Sequence, residues 1–271
     1  MNTLLNKTAL ALLLTASANL ALAQTAAQVI DIPLSRPGET VNVDIEILSA
    51  RIEVIGEDRQ DASFEVTVMD GERKIVTPSG TQSLKTGAYS VEVEERDNHI
   101  SVDTDWRANK VSMLARVPRN ANLELSTVNN GEIIASNIDG KLVLENVNGP
   151  ITATNINGSV IAESVNDDIT VSFSGVSPDQ AMSFTSVNGT LNLALPANTG
   201  AELHIDSAEG EIVSDFEVDV QPSKPIISRE DGRHGVEVKV ESVIVAKING
   251  GGTVIKLKTL NGNINITKSG T

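Results

Sequence analysis

The sequence has no cysteine and few aromatic residues, and both features limit what the protein can do. Without cysteine there is no disulfide, no thiolate metal site and no cysteine nucleophile. One Trp, one Tyr and four Phe among 271 residues leave little material for the aromatic platforms on which many carbohydrate-binding proteins stack sugars. Any glycan site would therefore have to be built from polar Asn, Ser and Thr side chains.

Positive charge is also scarce. The chain has 21 Lys and Arg against 36 Asp and Glu, a formal net charge of −15. Because nucleic-acid binding needs a basic footprint, no nucleic-acid partner is expected. The same charge disfavours docking on anionic lipid. The three histidines, His99, His204 and His234, form no closely spaced pair. We therefore predict no metal and no cofactor.

The N-terminus is typical of a secretory signal. Lys7 gives a basic start, an apolar run extends from Ala9 to Leu14, and a small-x-small site ends at Ala23. Cleavage is therefore predicted between Ala23 and Gln24, which removes residues 1–23. No later stretch approaches the ~20 apolar residues that span a bilayer. We expect a mature chain without a transmembrane segment that is periplasmic, displayed on the cell surface or secreted.

Asn-Gly and Asp-Gly dipeptides recur in the middle of the chain at nine-residue intervals. Both are strong turn formers because their residues tolerate positive φ. Between them apolar residues alternate, as in Leu142 and Leu144, which indicates one buried face of a strand. Each unit is predicted to be a turn followed by a short strand. The turn and ladder residues assigned in this way are Asn129, Gly131, Asp139, Gly140, Asn148, Gly149, Asn157, Gly158, Asn166, Asn188, Gly189, Asn261 and Gly262.

A second period of 18 residues relates alternate units, since Ala135-Ser-Asn-Ile138 recurs as Ala153-Thr-Asn-Ile156. We therefore predict an all-β fold, a parallel β-solenoid with about 18 residues per coil. Its Asn side chains would stack as a ladder at one corner, and Asp139 and Asn157 would stack at the other. An antiparallel sandwich built from hairpins is the competing fold.

The repeat divides the chain. After the signal, residues 24–118 are β-rich but irregular and lack the Asn-Gly tag. Residues 119–271 carry the Asn-Gly repeat, with longer spacings towards the end. The repeat region is predicted to form the solenoid and to continue directly from the β-rich region before it.

The repeat carries a family resemblance. The segment from Val117 to Leu123, the tandem Val/Ile-Asn-Gly units and the terminal Leu260-Asn-Gly-Asn-Ile264 resemble the bacterial "putative-adhesin" β-strand-repeat family, a domain of unknown function. The resemblance covers most of residues 40–267 and is strongest over 117–171. It implies a solenoid-like fold and a location in the cell envelope. It implies no catalytic residues.

Catalysis has two candidate motifs, Asn166-Asp167-Asp168 and Arg233-His234-Gly235. Paired carboxylates could act on a glycosidic bond, and the order faintly resembles that of polygalacturonases. A further Asp-bearing strand and a later basic motif are missing, and Asp167 occupies a turn position where sibling units have Gly. The acidic clusters Glu57/Asp58/Asp61 and Asp103/Asp105 match no calcium motif and are interpreted as solvated turns.

One apolar pair, Val143 and Ile161, falls on outward positions and is a candidate partner surface. The sequence therefore predicts a non-catalytic envelope protein, an adhesin-like scaffold that presents an extended β surface to an envelope protein or polysaccharide. One alternative is a polysaccharide-active β-helix enzyme, a hydrolase or lyase. A second alternative is an accessory of envelope-stress signalling.

Overall fold

The structure is a computed structural model that describes residues 28–68, 74–76, 82–84, 91–104, 111–129, 131–222, 226–232, 235–241 and 243–270. The predicted signal sequence, residues 1–23, and the predicted cleavage site at Ala23 and Gln24 lie outside these residues. The strands, in chain order, are β1 (Gln28–Pro33), β2 (Val41–Ile47), β3 (Ala50–Glu57), β4 (Asp61–Val68), β5 (Lys74–Val76), β6 (Gln82–Leu84), β7 (Val91–Arg96), β8 (His99–Thr104), β9 (Val111–Pro118), β10 (Ala121–Thr127), β11 (Glu132–Ser136), β12 (Asp139–Asn146), β13 (Ile151–Ser164), β14 (Ile169–Val176), β15 (Met182–Ser186), β16 (Leu191–Pro196), β17 (Ala201–Glu209), β18 (Ile212–Ser214), β19 (Val218–Val220), β20 (Ile226–Gly232), β21 (Gly235–Glu241), β22 (Ile244–Ile248), β23 (Thr253–Asn261) and β24 (Ile264–Ser269).

The described residues form strands and connections only, so the prediction of an all-β protein is confirmed. Twenty strands join in one sheet, while β5–β6 and β20–β21 form separate two-stranded hairpins. Over the ranges described, no helix has the length and apolar character needed to cross a membrane.

The large sheet contains two runs of parallel strands, which we call the first and second walls. The first wall contains, in spatial order, β8, β2, β10, β12, the second half of β13, β15, β23 and β17. The second wall contains β9, β3, β11, the first half of β13, β14, β16, β24 and β18. A strand of the first wall and the second-wall strand that follows it in the chain form one rung.

Like residues lie over like in neighbouring rungs. In the second wall Ile133 pairs with Ile151, and Ile151 pairs with Ile169. In the first wall Leu142 pairs with Val160. All five side chains are at most 1% exposed. The 18-residue offset therefore places each apolar side chain beside its equivalent, and the buried residues of both walls form one continuous core.

The pairing is mixed, because antiparallel strands adjoin the parallel walls at both ends. At one end β7 pairs with β8, β4 pairs with β9, and β1 pairs with β4. At the other end β22 pairs with both β17 and β19. A parallel solenoid throughout residues 119–271 was therefore too simple a prediction. These antiparallel strands cover strand edges that would otherwise be open to association.

The rungs do not follow chain order at the ends of the stack. The first rung in the chain, β2 with β3, lies between β8/β9 and β10/β11. The last, β23 with β24, lies between β15/β16 and β17/β18. The β-rich N-terminal region therefore contributes rungs to the same stack as the Asn-Gly repeat. The long spacing between Asn188 and Asn261 corresponds to strands β17 to β22, which come between two spatially adjacent rungs.

Candidate functional site

The chain passes from the first wall to the second at the Val-Asn-Gly segments, which we call the first corner. Here the backbone N–H of each Asn donates to the carbonyl of the apolar residue in the preceding rung. The distances are 3.1 Å from Asn148 to Val128, 3.2 Å from Asn166 to Val147, 2.8 Å from Asn188 to Val165 and 2.9 Å from Asn261 to Val187. The corner thus repeats one hydrogen-bonded arrangement through the stack.

The Asn side chains of this corner form an amide ladder. Asn166 donates its Nδ2 to Oδ1 of Asn148 at 2.7 Å, Asn188 donates to Asn166 at 3.1 Å, and Asn261 donates to Asn188 at 2.8 Å. The ladder ends at Asn148, whose Nδ2 donates to the Val128 carbonyl at 3.0 Å rather than to the side chain of Asn129. These amides join rung to rung, which is a structural use of the residues.

Glycine is required at this corner because the backbones of neighbouring rungs approach closely. A Cβ at Gly149 would lie 1.6 Å from the Gly131 carbonyl oxygen, and one at Gly189 would lie 2.1 Å from that of Asp167. A Cβ at Gly131 would likewise lie 2.1 Å from the Ala50 carbonyl oxygen, and one at Gly262 would lie 2.2 Å from that of Gly189. Among these four only Gly149 has a left-handed φ, +151°. The expectation that these glycines supply positive φ was therefore wrong for the other three.

A buried polar row lies directly inside the corner, and the sequence analysis missed it. Its members occupy the last inward position before each corner: Thr127, Asn146, Ser164, Ser186 and Thr259. Four of them donate to carbonyls of the corner: Thr127 to Ala50 at 3.4 Å, Asn146 to Gly131 at 3.2 Å, Ser186 to Asp167 at 3.3 Å and Thr259 to Gly189 at 3.0 Å. Strict alternation from Leu144 would have placed Asn146 inside and Val147 outside. The signal was therefore present in the sequence.

The opposite turn, from the second wall to the first, is the second corner. Asp139 and Gly140 pair in register with Asn157 and Gly158, and all four lie within strands β12 and β13 rather than in tight turns. A Cβ at Gly140 would lie 2.1 Å from the Ala121 carbonyl oxygen, and one at Gly158 would lie 1.9 Å from that of Gly140.

The bend itself falls two residues earlier than predicted. Asn137 and Asn155 have φ of 59° and 55°, and the Asn155 amide donates to Oδ1 of Asn137 at 2.7 Å. Asp139 instead accepts from Nε of Arg119 at 3.2 Å.

An exposed aliphatic row runs along the first corner, beside the amide ladder. This row, which we call the corner ridge, consists of Leu48, Val128, Val147, Val165, Val187 and Leu260. Each ridge residue directly follows the last residue of its strand register, and those preceding residues pair from strand to strand in the order Ile47, Thr127, Asn146, Ser164, Ser186 and Thr259. Leu48 and Leu260 are 50% and 51% exposed, and Val165 and Val187 are 38% and 37% exposed.

Carboxylates flank the ridge on the outer face of the first wall. Two residues before the ridge, Glu145 and Glu163 are register partners, and Glu46 lies in the same row two rungs away. All three are exposed. Among the described residues none of them forms a salt bridge, whereas Lys258, near the far end of the ridge, binds Asp206 at 2.7 Å. Carboxylates therefore flank the ridge at three of its six rungs.

The predicted surface pair, Val143 and Ile161, are register neighbours and are half-buried on the outer face of the first wall. Val143 also lines a shallow depression of about 290 Å³ together with Asp44, His99 and Lys141. The pair therefore lies next to the acidic row and is not covered by any strand that the structure describes.

Of the candidate catalytic residues, the structure describes Asp167 and Asp168, and both make hydrogen bonds at the first corner. Asp168 is exposed, and its Oδ1 accepts the backbone N–H of Thr190 at 2.7 Å, which is a turn-stabilising contact. Asp167 contributes its carbonyl to the close contacts with Gly189 and Ser186. Arg233 and His234 lie outside the described residues.

The first predicted acidic cluster, Glu57/Asp58/Asp61, pairs with an arginine. Arg59 contacts Glu57 at 3.5 Å and Asp61 at 2.9 Å, and its hydrogen bond lowers the pKa of the Asp61 carboxyl. In the part of the chain that the structure describes, no three His, Asp or Glu side chains are grouped so as to hold a metal ion. Asp105 lies outside that part.

Comparisons with known proteins add little to this description. No family model matches the chain, and no curated protein matches it. One solved structure is similar, a "putative cell adhesion protein" from Clostridium sporogenes ATCC 15579, with 11% identity and a TM-score of 0.45 over 90% of this chain and 100% of the other. The family resemblance of the repeat therefore stays a prediction.

Proposed function

We propose that this protein is an exported, non-catalytic module of the cell envelope that presents an extended, regular β surface to a protein partner. We also propose that its rungs are the coils of a short β-solenoid whose ends are closed by antiparallel strands. The observation that carries the functional proposal is the corner ridge. It is a largely exposed aliphatic row beside an amide ladder whose Asn side chains are hydrogen-bonded from rung to rung.

The polar groups favour a scaffold over an enzyme. The ladder amides of Asn148, Asn166 and Asn188 bond to one another or to backbone. Asp168 caps the Thr190 turn, so its carboxylate already has a structural partner. General acid–base work on a glycan needs two free titratable groups placed across one bond. In the candidate motif at the first corner, Asp168 is held by the Thr190 N–H, so Asp167 has no free partner carboxylate there.

Regular spacing favours binding along a line. Neighbouring strands in a sheet lie about 4.8 Å apart, so the six ridge residues span about 24 Å. Contiguous exposed apolar rows of this kind on soluble proteins are typical of interaction surfaces. Most ridge residues lie in the corner bends, directly after the ends of paired strands, and backbone hydrogen bonds from Asn148, Asn166, Asn188 and Asn261 hold these bends from rung to rung.

The non-catalytic assignment can be tested by incubating the purified protein with isolated envelope glycan and assaying new reducing ends and unsaturated sugar products. We expect no release above the protein-free blank. Saturable release that is lost in Asp168→Asn would overturn the proposal. The Asn variant is the right comparison because its side-chain oxygen can still accept the Thr190 N–H.

Export is tested separately by N-terminal sequencing of the protein recovered from cell envelope and culture medium. We expect the chain to begin at Gln24. Recovery only from the cytoplasm, with Met1 retained, would contradict an envelope role.

A further inference from the structure

We propose that the corner ridge is the binding site for a cationic, amphipathic segment of a partner protein. The segment would place an aliphatic stripe on the ridge and Lys or Arg beside the acidic row of Glu46, Glu145 and Glu163. This proposal rests on the proposed function and names the chemistry of its partner.

The ridge is not a by-product of the repeat. Each ridge residue comes directly after an inward-pointing residue, so alternation along the strand directs its side chain outwards. The ridge side chains are therefore not part of the buried core. The equivalent apolar residues of the second corner, Ile138 and Ile156, are completely buried. The first corner, in contrast, leaves four of its six ridge side chains exposed, Leu48, Val165, Val187 and Leu260, and the other two, Val128 and Val147, half-buried.

The carboxylates beside the ridge indicate which kind of partner can bind there. Glu46, Glu145 and Glu163 form no salt bridge within the described residues, and Glu124 lies exposed on the same outer face. Anionic lipid, acidic glycan and nucleic acid would meet repulsion there. A second copy of this chain would bring the same carboxylates and the same net charge of −15. A cationic segment is the one class for which both the ridge and its flank are attractive.

Length and spacing suit a helical segment. A helix presents one turn of its apolar stripe every 5.4 Å, close to the spacing of about 4.8 Å between rungs. A ridge of about 24 Å corresponds to about 16 helical residues. The probe is therefore a fluorescein-labelled helical peptide of about 16 residues with leucine at i, i+3, i+4 and i+7 positions and lysine elsewhere. Its control peptide replaces each lysine with glutamate.

Affinity would be measured by fluorescence anisotropy with four double variants of the full chain. Val165→Ser/Val187→Ser removes ridge side chains, and Glu145→Gln/Glu163→Gln removes flanking charge. Each has a matched control away from the ridge. Val213→Ser/Val220→Ser changes two valines that are 52% and 62% exposed, and Asp215→Asn/Glu217→Gln removes two exposed charges. Because all four pairs are on the surface, each variant should fold, which circular dichroism would check.

We expect the lysine peptide to bind and the glutamate peptide not to bind. The ridge pair should weaken binding about tenfold, and the flanking pair several-fold with a smaller salt dependence, while the two control pairs change it less than about twofold. Equal weakening by ridge and control pairs would mean general attraction to an acidic protein and would overturn the proposal. A wild-type dimer in light scattering that Val165→Ser/Val187→Ser dissociates would overturn it in favour of a second copy. If the peptide does not bind and no glycan is released, the proposed partner is wrong but the non-catalytic function stands. If the peptide binds as expected and glycan is released, the non-catalytic function is wrong but the proposed partner stands.

Discussion

The first and second corners have similar sequences but different structures. Ile156-Asn-Gly at the second corner and Val147-Asn-Gly at the first are both an apolar residue followed by Asn-Gly. In the structure Ile156 is completely buried, whereas Val147 is half-buried and lies next to Val165, which is 38% exposed. The difference comes from the residue before. Asn155 is left-handed and redirects the chain, while Asn146 ends a regular strand with its side chain inside. A nine-residue unit therefore conceals an inward and an outward version of the same tripeptide.

The strongest way to break the first corner is Gly149→Ala. A Cβ there would lie 1.6 Å from the Gly131 carbonyl oxygen, and φ of +151° is unfavourable for alanine. We expect a loss of about 4 kcal/mol or more in the free energy of unfolding, measured by urea denaturation, or failure to fold. Gly38→Ala is the control, because Gly38 also has positive φ but no atom within 4 Å of its Cβ position. It should lose only about 1 kcal/mol. Equal losses would show that backbone conformation, rather than rung contact, requires the glycine.

Because Ile156 points into the core and Val165 points outwards, shortening these two side chains should change the free energy of unfolding by very different amounts. Ile156→Ala removes a fully buried side chain and should lower the free energy of unfolding by about 2–5 kcal/mol. Val165→Ala shortens a side chain that is 38% exposed and should change it by about 0.5 kcal/mol. Denaturant midpoints of the two variants decide the matter. A large loss for Val165→Ala would mean that the ridge is part of the core and not a free surface.

The sequence predicted the strands and their buried faces well, because alternation is local. Leu142, Ile151 and Val160 were assigned inward positions and are completely buried. The order of the rungs could not be predicted in the same way. The contact between β3 and β11 joins residues such as Val54 and Ala135, far apart in the chain. Nothing in either segment encodes that choice of neighbour, since one aliphatic strand pairs with another equally well.

The candidate site was missed for a different reason. The Asn-Gly tag drew attention to the turn and away from the two residues before it, although alternation already placed Asn146 inside and Val147 outside. The predicted pair Val143 and Ile161 lies on the same wall, next to the acidic row and two outward positions before the ridge. Patterning could therefore locate the outer face. It could not show that the apolar positions align over six rungs, because that depends on the long-range register.

Removing one ladder amide should have a moderate effect confined to the first corner. Asn166→Ala loses the bond to Asn148 and the bond from Asn188, which should lower the free energy of unfolding by about 1–2 kcal/mol. Asn129→Ala is the matched control, because Asn148 donates to the Val128 carbonyl instead. Its effect should stay within about 0.5 kcal/mol. Thermal unfolding of both variants under the same conditions is the measurement, and similar losses would mean that the ladder contributes nothing beyond the turn itself.

The smallest effect should distinguish what asparagine does at the second corner. Both Asn155→Ala and Asn155→Gly lose the 2.7 Å bond to Asn137, but only alanine must be forced into φ of 55°. Glycine adopts that backbone without a steric penalty. The free energy of unfolding of the glycine variant should therefore exceed that of the alanine variant by about 1 kcal/mol. A difference near zero in paired urea titrations would mean that the neighbouring rungs, and not the left-handed residue, set the bend that turns Ile156 into the core.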